Sequence, residues 1–220
     1  MVQFRITPGE MYPPPIKGRG LVLVPWDGEL VAQMAAWSER GFPYHPFDMG
    51  HLRDPERASE AVARAHREGP HRYFAATEDG VAVGRVCVNI RDAAGLYLWS
   101  VHVPPEHEGR GIGRRMVATL IEWLEEEYPG SEFALTANSF AGKAHSVYRS
   151  LGFTVAEIRW HYDRDISELL WKTDSERRKQ VLGHIRHFAG QWQVRTYLMK
   201  RRPGTPMHID PIRLRSAPRA

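Results

Sequence analysis

The chain has 220 residues, 42% of them hydrophobic and 25% charged, which excludes a disordered or fibrous polymer and fits a globular domain able to bury its own core. Lys and Arg number 30 against 26 Asp and Glu, a net charge of +4 that reads as a basic tail before it reads as a nucleic-acid surface. The single cysteine, Cys87, excludes an intramolecular disulfide, and no apolar run suits a signal peptide or a bilayer span, so a soluble cytoplasmic protein with no membrane partner is expected.

Residues 1–19 carry Pro13, Pro14 and Pro15 in succession and read as an extended N-terminal arm. The domain proper spans 20–200. Leu21 to Pro25 is a short buried strand, and Asp27 is the expected N-cap of a helix on which Leu30, Met34 and Trp37 recur. Gly41 to Gly50 is an aromatic, proline-rich loop. Asp54 and Pro55 then open a helix to about Glu68, with Ala58, Ala61, Val62 and Ala65 on its apolar face.

Tyr73–Thr77 and Val81–Ile90 read as a hairpin around Asp79-Gly80, and Leu96–Val103 as the next strand, closed by two prolines. After the glycines of 109–113 the period changes, with Met116, Val117, Leu120, Ile121 and Leu124 forming a helical stripe. Phe133–Ala137 is a strand, Gly142–Leu151 a helix stopped by Gly152, Phe153–Trp160 a strand and Val194–Met199 the last one. Between those two strands, residues 163–190 read as a helical insert whose Val181, Leu182, Ile185 and Phe188 must be buried on something. Residues 201–220 form a basic, Pro-containing tail, its charge beginning with Lys200, Arg201 and Arg202. The order predicts an α/β domain with a mixed, mostly antiparallel central sheet, flanking helices and one βαβ crossover.

The stretch from Val101 to Arg115 joins a strand to a helix through a glycine-rich turn. First-turn amides of a helix have no intrahelical acceptor, and the macrodipole adds positive charge there. Gly109, Gly111 and Gly113 remove Cβ atoms from the approach, and Arg110, Arg114 and Arg115 add formal charge, so the turn suits a phosphate or pyrophosphate. The Walker A pattern is excluded by the missing Lys-Ser or Lys-Thr pair, and the Rossmann turn by glycine spacing.

Glu108-Gly109-Arg110-Gly111-Ile112-Gly113 resembles the acyl-CoA-binding motif of the GNAT superfamily of N-acetyltransferases, and Tyr148-Arg149-Ser150-Leu151-Gly152-Phe153 resembles its Tyr-x-x-x-Gly-Phe hallmark. The resemblance covers roughly residues 20–200 and implies the GNAT fold and acetyl-CoA as acyl donor, with no metal. It implies that amides of Gly109, Arg110, Gly111, Ile112, Gly113 and Arg114 hold the pyrophosphate, and that Val101, His102 and Val103 pair with the pantetheine arm as an added strand would. It implies Tyr148 as the acid that protonates the leaving thiolate. Two positions depart from the pattern. Glu108 stands where Arg or Gln is usual, and Ala141 where an Asn is usual; either Asn138, three residues upstream, reaches the cofactor from a longer loop and is the expected contact, or the contact is absent.

No motif assigns the base that takes the amine's proton. Strand alternation puts Tyr97, Trp99 and Val101 on one face and His102 on the other, so His102 is a candidate only if the strand bulges. Trp37, Phe42, Tyr44, His45 and Phe47, with Trp99 across the sheet, form the expected acceptor pocket, of which Trp37, Tyr44, Phe47 and Trp99 are the chosen contacts. Rings of this kind take apolar groups or ammonium, or fill a core. His184 and His187 share a helical face by spacing, but no third ligand accompanies them and no metal site is expected.

The resulting expectation is an acetyltransferase acting on a primary amine of a small molecule or peptide by direct attack in a ternary complex, with a homodimer or a pocket lid as the insert's role. Cys87, mid-strand, is not expected to carry the acetyl group. The alternatives are a non-catalytic CoA-binding or protein-interaction module on the same fold, and nucleic-acid binding by the tail.

Overall fold

Strand and helix limits follow the turn chemistry. The computed structural model describes residues 13–38, 41–44, 54–93 and 95–209. It begins with β1 (Ile16–Gly18) and β2 (Leu21–Pro25), then α1 (Gly28–Ala35) and α2 (Pro55–Glu68). Asp27 caps α1 and Asp54 caps α2, each carboxylate accepting a backbone N–H three residues on, at 2.8 Å from Leu30 and 3.2 Å from Arg57. The hairpin of β3 (His71–Glu78) and β4 (Val81–Asp92) turns at Asp79 and Gly80, with φ of 49° and 80°. Two successive positive φ values match the twist of the flanking strands, which is why Asp-Gly stands there.

β5 (Gly95–His102), α3 (Ile112–Glu127) and β6 (Phe133–Asn138) form the βαβ crossover, and β5–β6 is the one parallel pair among the described strands. α4 (Gly142–Ser150) leads to β7 (Thr154–Tyr162), and the insert follows as α5 (Arg164–Lys172), α6 (Ser175–Lys179) and β8 (Ile185–Phe188). β9 (Gln191–Arg201) then returns between β6 and β7, giving the order β1-β2-β3-β4-β5-β6-β9-β7, with β8 also on β9.

One face of this sheet packs on α3 and α4 through a continuous core that includes Phe74, Val86, Leu98, Met116, Leu120, Phe133 and Met199. The other face carries two smaller clusters. Leu30, Val31 and Met34 of α1 and Val62 of α2 cover Trp26, Ala75 and Cys87. Ile166 and Leu170 of α5, with Val181 and Ile185, cover Val194, and Phe42, Phe140 and Trp192 pack against them.

Three local expectations need revision. The arm's last residues are not outside the sheet, because Ile16–Gly18 pairs with Leu21–Leu23 as β1. The helical spacing of Val181, Leu182, Ile185 and Phe188 does not make a helix. A 3-10 turn spans Leu182–His184, and Ile185–Phe188 then pairs with Val194–Gln191, burying Val181 and Ile185 but leaving Leu182 and Phe188 exposed. A strand partner supplied from elsewhere in the chain overrides the local period. Finally, Arg201 is no solvated tail residue but is buried in β9, with Nε donating to the Leu151 carbonyl at 2.9 Å and Nη1 to Glu125 at 2.6 Å.

Candidate active site

Gly109 and Gly111 have φ of 75° and 71°, a region side chains with a Cβ rarely adopt, and nothing lies within 4 Å of a Cβ built on either. Gly111 is the N-cap of α3, and no side chain caps this terminus. The ladder begins with the Arg115 N–H donating to the Gly111 carbonyl at 3.1 Å, so the preceding amides face away from the helix's own acceptors. An open loop beneath an uncapped, sixteen-residue helix fits an anionic group.

The arginines beside this loop differ from one another. Arg115 reaches Glu78 at 2.6 Å and the carbonyls of Arg19 and Gly20 at 3.2 Å, which makes it a tie between α3 and the strands below. Arg110 also pairs with Glu78 and contacts His107 Nδ1 at 3.1 Å. Burial would raise the Glu78 carboxyl, but the bonds and charges of Arg115 and Arg110 outweigh it and hold it below the ordinary carboxylate range. Arg114 lies half-buried in the first turn of α3. Glu108 pairs with Lys143 of α4, 3.2 Å away.

The decisive departure from a regular strand is in β5. Trp99 stands opposite Cys87 and His102 opposite Arg85, leaving Ser100 and Val101 against one residue of β4, and Ser100 has φ of 52°. This bulge reverses the parity of the strand. Val101, expected beside Trp99, packs into the α3–α4 core, and His102 turns to the α1 face, where its ring stacks on Trp37 at 5.6 Å and 27°. The condition attached to His102 is therefore met. The β5–β6 ladder ends at Leu98 opposite Leu135, just before the bulge, so Val101 to Val103 lie where the two parallel strands have parted. Cys87 sits under the bulge, hydrogen-bonded to the Ser100 side chain, and burial pushes its thiol up to about 12.

On the far side of the split, Tyr148 lies on α4 and is 7% exposed, its ring edge-on to Phe153 at 6.0 Å within the main core. Asn138 ends β6, and its carbonyl accepts from the Ala141 N–H at 2.9 Å. The same carbonyl bonds the ring of His145, which is buried, with Nε2 lacking a partner among the described residues. Desolvation, with Arg149 beside it, lowers its pKa and keeps this ring neutral. His145 lies in an otherwise polar helix start, and sequence reading gave no signal for it.

A second missed group ties the insert to this end of β6. Ser139 Oγ lies 2.8 Å from His184 Nδ1 and accepts from Arg195 Nε at 3.3 Å. Desolvation, and then the Arg195 charge, lower the His184 pKa and favour its neutral ring. His187 instead packs edge-on to Trp171 and Trp192, so the two histidines do not share a helical face. No group of three or more His, Cys, Asp or Glu among the described residues is placed to hold a metal ion.

The expected acceptor residues divide. Trp37 joins His102; Trp99, 36% exposed, meets Tyr73 at 5.6 Å and His71 at 5.7 Å; Tyr44 meets Phe140 at 5.8 Å, near the insert. Phe42 packs on the insert's apolar cluster. His45 and Phe47 lie outside the described residues.

The acetyltransferase (GNAT) family model matches residues 31–153. N-alpha-acetyltransferase RimI of Mycobacterium tuberculosis is 30% identical over 99 residues, which make 43% of this chain and 60% of that protein, so the match spans less than two thirds of the relative's length. A spermidine N-acetyltransferase SpeG chimera from Vibrio cholerae and hSSAT superposes with a TM-score of 0.60 at 12% identity, over 84% of this chain and 96% of that one. The PaiA N-acetyltransferase of Thermoplasma acidophilum in complex with coenzyme A gives 0.54 at 13% identity, over 84% and 99%. At such identities the two superpositions show a shared fold. No helix among the described residues is long and apolar enough to cross a membrane.

Proposed function

Because the chain belongs to the acetyltransferase (GNAT) family, we propose that it moves an acetyl group from acetyl-CoA to a primary amine of a small molecule or peptide, by direct attack in a ternary complex. The Ser100 bulge carries the proposal. It parts β5 from β6 beside the uncapped α3 terminus and brings His102 to the face opposite Tyr148's core.

Acetyl-CoA supplies the acetyl group as a thioester, whose leaving thiolate must be protonated. The open Gly109 and Gly111 positions and the first-turn amides up to Arg114 bind the pyrophosphate. Val101 to Val103 offer extended backbone to the pantetheine arm where β6 has diverged. Tyr148 donates its hydroxyl proton to sulfur as the C–S bond breaks and the N–C bond forms. His102, oriented by its stack on Trp37, takes the proton that the attacking nitrogen loses. A buried Cys87 thiol held near 12 supports direct attack, because it is not a thiolate at neutral pH. The α-amine of a peptide is the first acceptor class to try, since the RimI relative is named for N-alpha-acetylation.

Calorimetric titration with acetyl-CoA, paired with CoA release, tests this on wild type, Tyr148→Phe and His102→Gln. All three should bind acetyl-CoA equally. Turnover of Tyr148→Phe should fall about a hundredfold, the low end for loss of a positioned acid. Equal turnover in wild type and Tyr148→Phe would remove the acid assignment. Binding with no turnover on any amine would favour the non-catalytic module. Absence of binding up to about 1 mM, roughly 4 kcal/mol, would leave only the fold.

A further inference from the structure

We propose that the face which β7, β9 and β8 present beyond α4 binds single-stranded nucleic acid. The register sets Trp160 of β7 opposite Arg195 of β9, and Arg186 of β8 opposite Gln193 of β9, two residues along on the same face. Side-chain contacts agree with that register. The Arg186 guanidinium lies 4.7 Å from the Trp160 ring centre and 5.3 Å from that of Phe188, and the Arg195 guanidinium lies 6.0 Å from both Trp160 and Tyr197. Rings and guanidinium groups therefore alternate from Phe188 through Arg186, Trp160 and Arg195 to Tyr197. His145 of α4 packs on Tyr197 at 5.0 Å, but the rest of the row is open. Phe188 is 59% exposed, and Trp160 is half-buried.

Charge selects the occupant. From Arg177 to Ile209 the chain has eight Lys and Arg and no Asp or Glu, so with a total of +4 the rest of it is net acidic. Several of these cations are spent within the fold: Arg201 on Glu125, Arg177 on Asp174 and Lys179 on Glu176. The two in the ring row are not. Arg186 Nε donates to Gln193 Oε1 at 2.8 Å and Arg195 Nε to Ser139 Oγ at 3.3 Å, both neutral acceptors, and neither arginine pairs with a carboxylate among the described residues. Two uncompensated cations favour an anion, and the exposed rings between and beside them favour flat apolar surface. A single strand offers both at once, phosphates along its backbone and bases whose faces stack on aromatic rings or on guanidinium planes. A duplex hides those faces in its own stack, and an acidic peptide supplies the charge without a row of planar faces. From Tyr197 to Gln191 the face runs about 20 Å along β9 at the rise of a strand, room for several nucleotides.

Fluorescence anisotropy of end-labelled, unstructured RNA and DNA oligonucleotides, titrated with the full chain, tests this. Wild type should bind, with log K falling linearly against log salt. Phe188→Ala should weaken binding about fivefold or more, the low end for one stacked base, and leave the salt slope unchanged. Arg186→Gln should weaken it and flatten that slope by about 0.7, the share of one phosphate on a single strand. Replacing Arg213, Arg215 and Arg219 together by Gln should leave the effect of Phe188→Ala intact, which separates this face from the basic tail. Phe188 and Arg186 are exposed, so Tm and acetyl-CoA binding serve as folding controls. Binding of RNA alone or DNA alone upholds the face and names the strand. No binding of either at about 100 μM protein, an affinity indifferent to Phe188→Ala or a slope indifferent to Arg186→Gln would each overturn the proposal. So would poly-glutamate or phosphatidylserine vesicles bound as tightly as the oligonucleotides.

Discussion

α3 and α4 begin at Gly111 and Ala141 with no side-chain cap, whereas α1, α2, α5 and α6 begin at Asp27, Asp54, Asp163 and Asp174, each accepting a backbone N–H. The capped helices commit a donor to their own chain and carry a local negative charge. At α4 the Gly142 N–H donates to the Phe140 carbonyl at 2.9 Å, whereas α3 starts on the open Gly109–Gly111 loop, where an anion gains from both first-turn N–H groups and the dipole. The difference sets α3, whose start the proposed pyrophosphate site uses, apart from the helices capped by their own aspartates.

The largest effect is expected where the uncapped helices are tied together. Arg201 joins Glu125 of α3 to the Leu151 carbonyl after α4 and also donates to the Thr205 carbonyl at 2.6 Å. Arg201→Met should lower stability by about 3 kcal/mol, because it strands buried acceptors while Glu125 can still reach water. Chemical denaturation measures this, and a loss under about 1 kcal/mol would mean that Phe133, 5.3 Å from the guanidinium, already packs well against a thioether.

Capping α3 like its neighbours should abolish the contrast. Gly111→Asp puts a carboxylate at the terminus and strains a φ of 71°, so acetyl-CoA affinity should fall at least tenfold, about 1.4 kcal/mol. Asp27→Ala should instead cost about 1 kcal/mol of stability and leave that affinity unchanged. Equal affinity in Gly111→Asp would show that the terminus does not face the ligand.

The smallest expected effect concerns the Glu78 tie, which anchors Arg110 and Arg115. Its folded pKa is depressed, so its stabilisation is present above the unfolded value of about 4.3 and is lost as pH falls through the folded value. Glu78→Gln should therefore cost less than about 1 kcal/mol near pH 7, since the pair is partly solvated. The gap to wild type should close below about pH 4. A gap that persists in acid would assign the loss to packing.

Much of the fold was legible because its signals are local. Asp27 and Asp54 cap their own helices, Asp79-Gly80 sets its own turn, and the glycines before α3 stand where positive φ is required. The glycine loop and Tyr148 lie in the elements expected of them. His102 was legible only as a conditional, because one extra residue at Ser100 reverses which face it occupies and no composition signal marks that residue. His145 and Ser139 were missed, and His184 was weighed only as a metal ligand beside His187, since each acquires its partner from a segment distant in sequence or across a turn.

The sequence by itself determined the order of strands and helices from β2 to β7, the Asp27 and Asp54 caps, the Asp79-Gly80 turn and the glycine loop, because these depend on φ and ψ preferences acting over a few residues. Tertiary structure decided the Ser100 bulge, the strand at Ile185–Phe188, the burial of Arg201 and the open edge at β7. Each depends on which strand lies alongside. A backbone's free donors, and the side of the sheet a side chain occupies, are set by that neighbour and not by the residue itself.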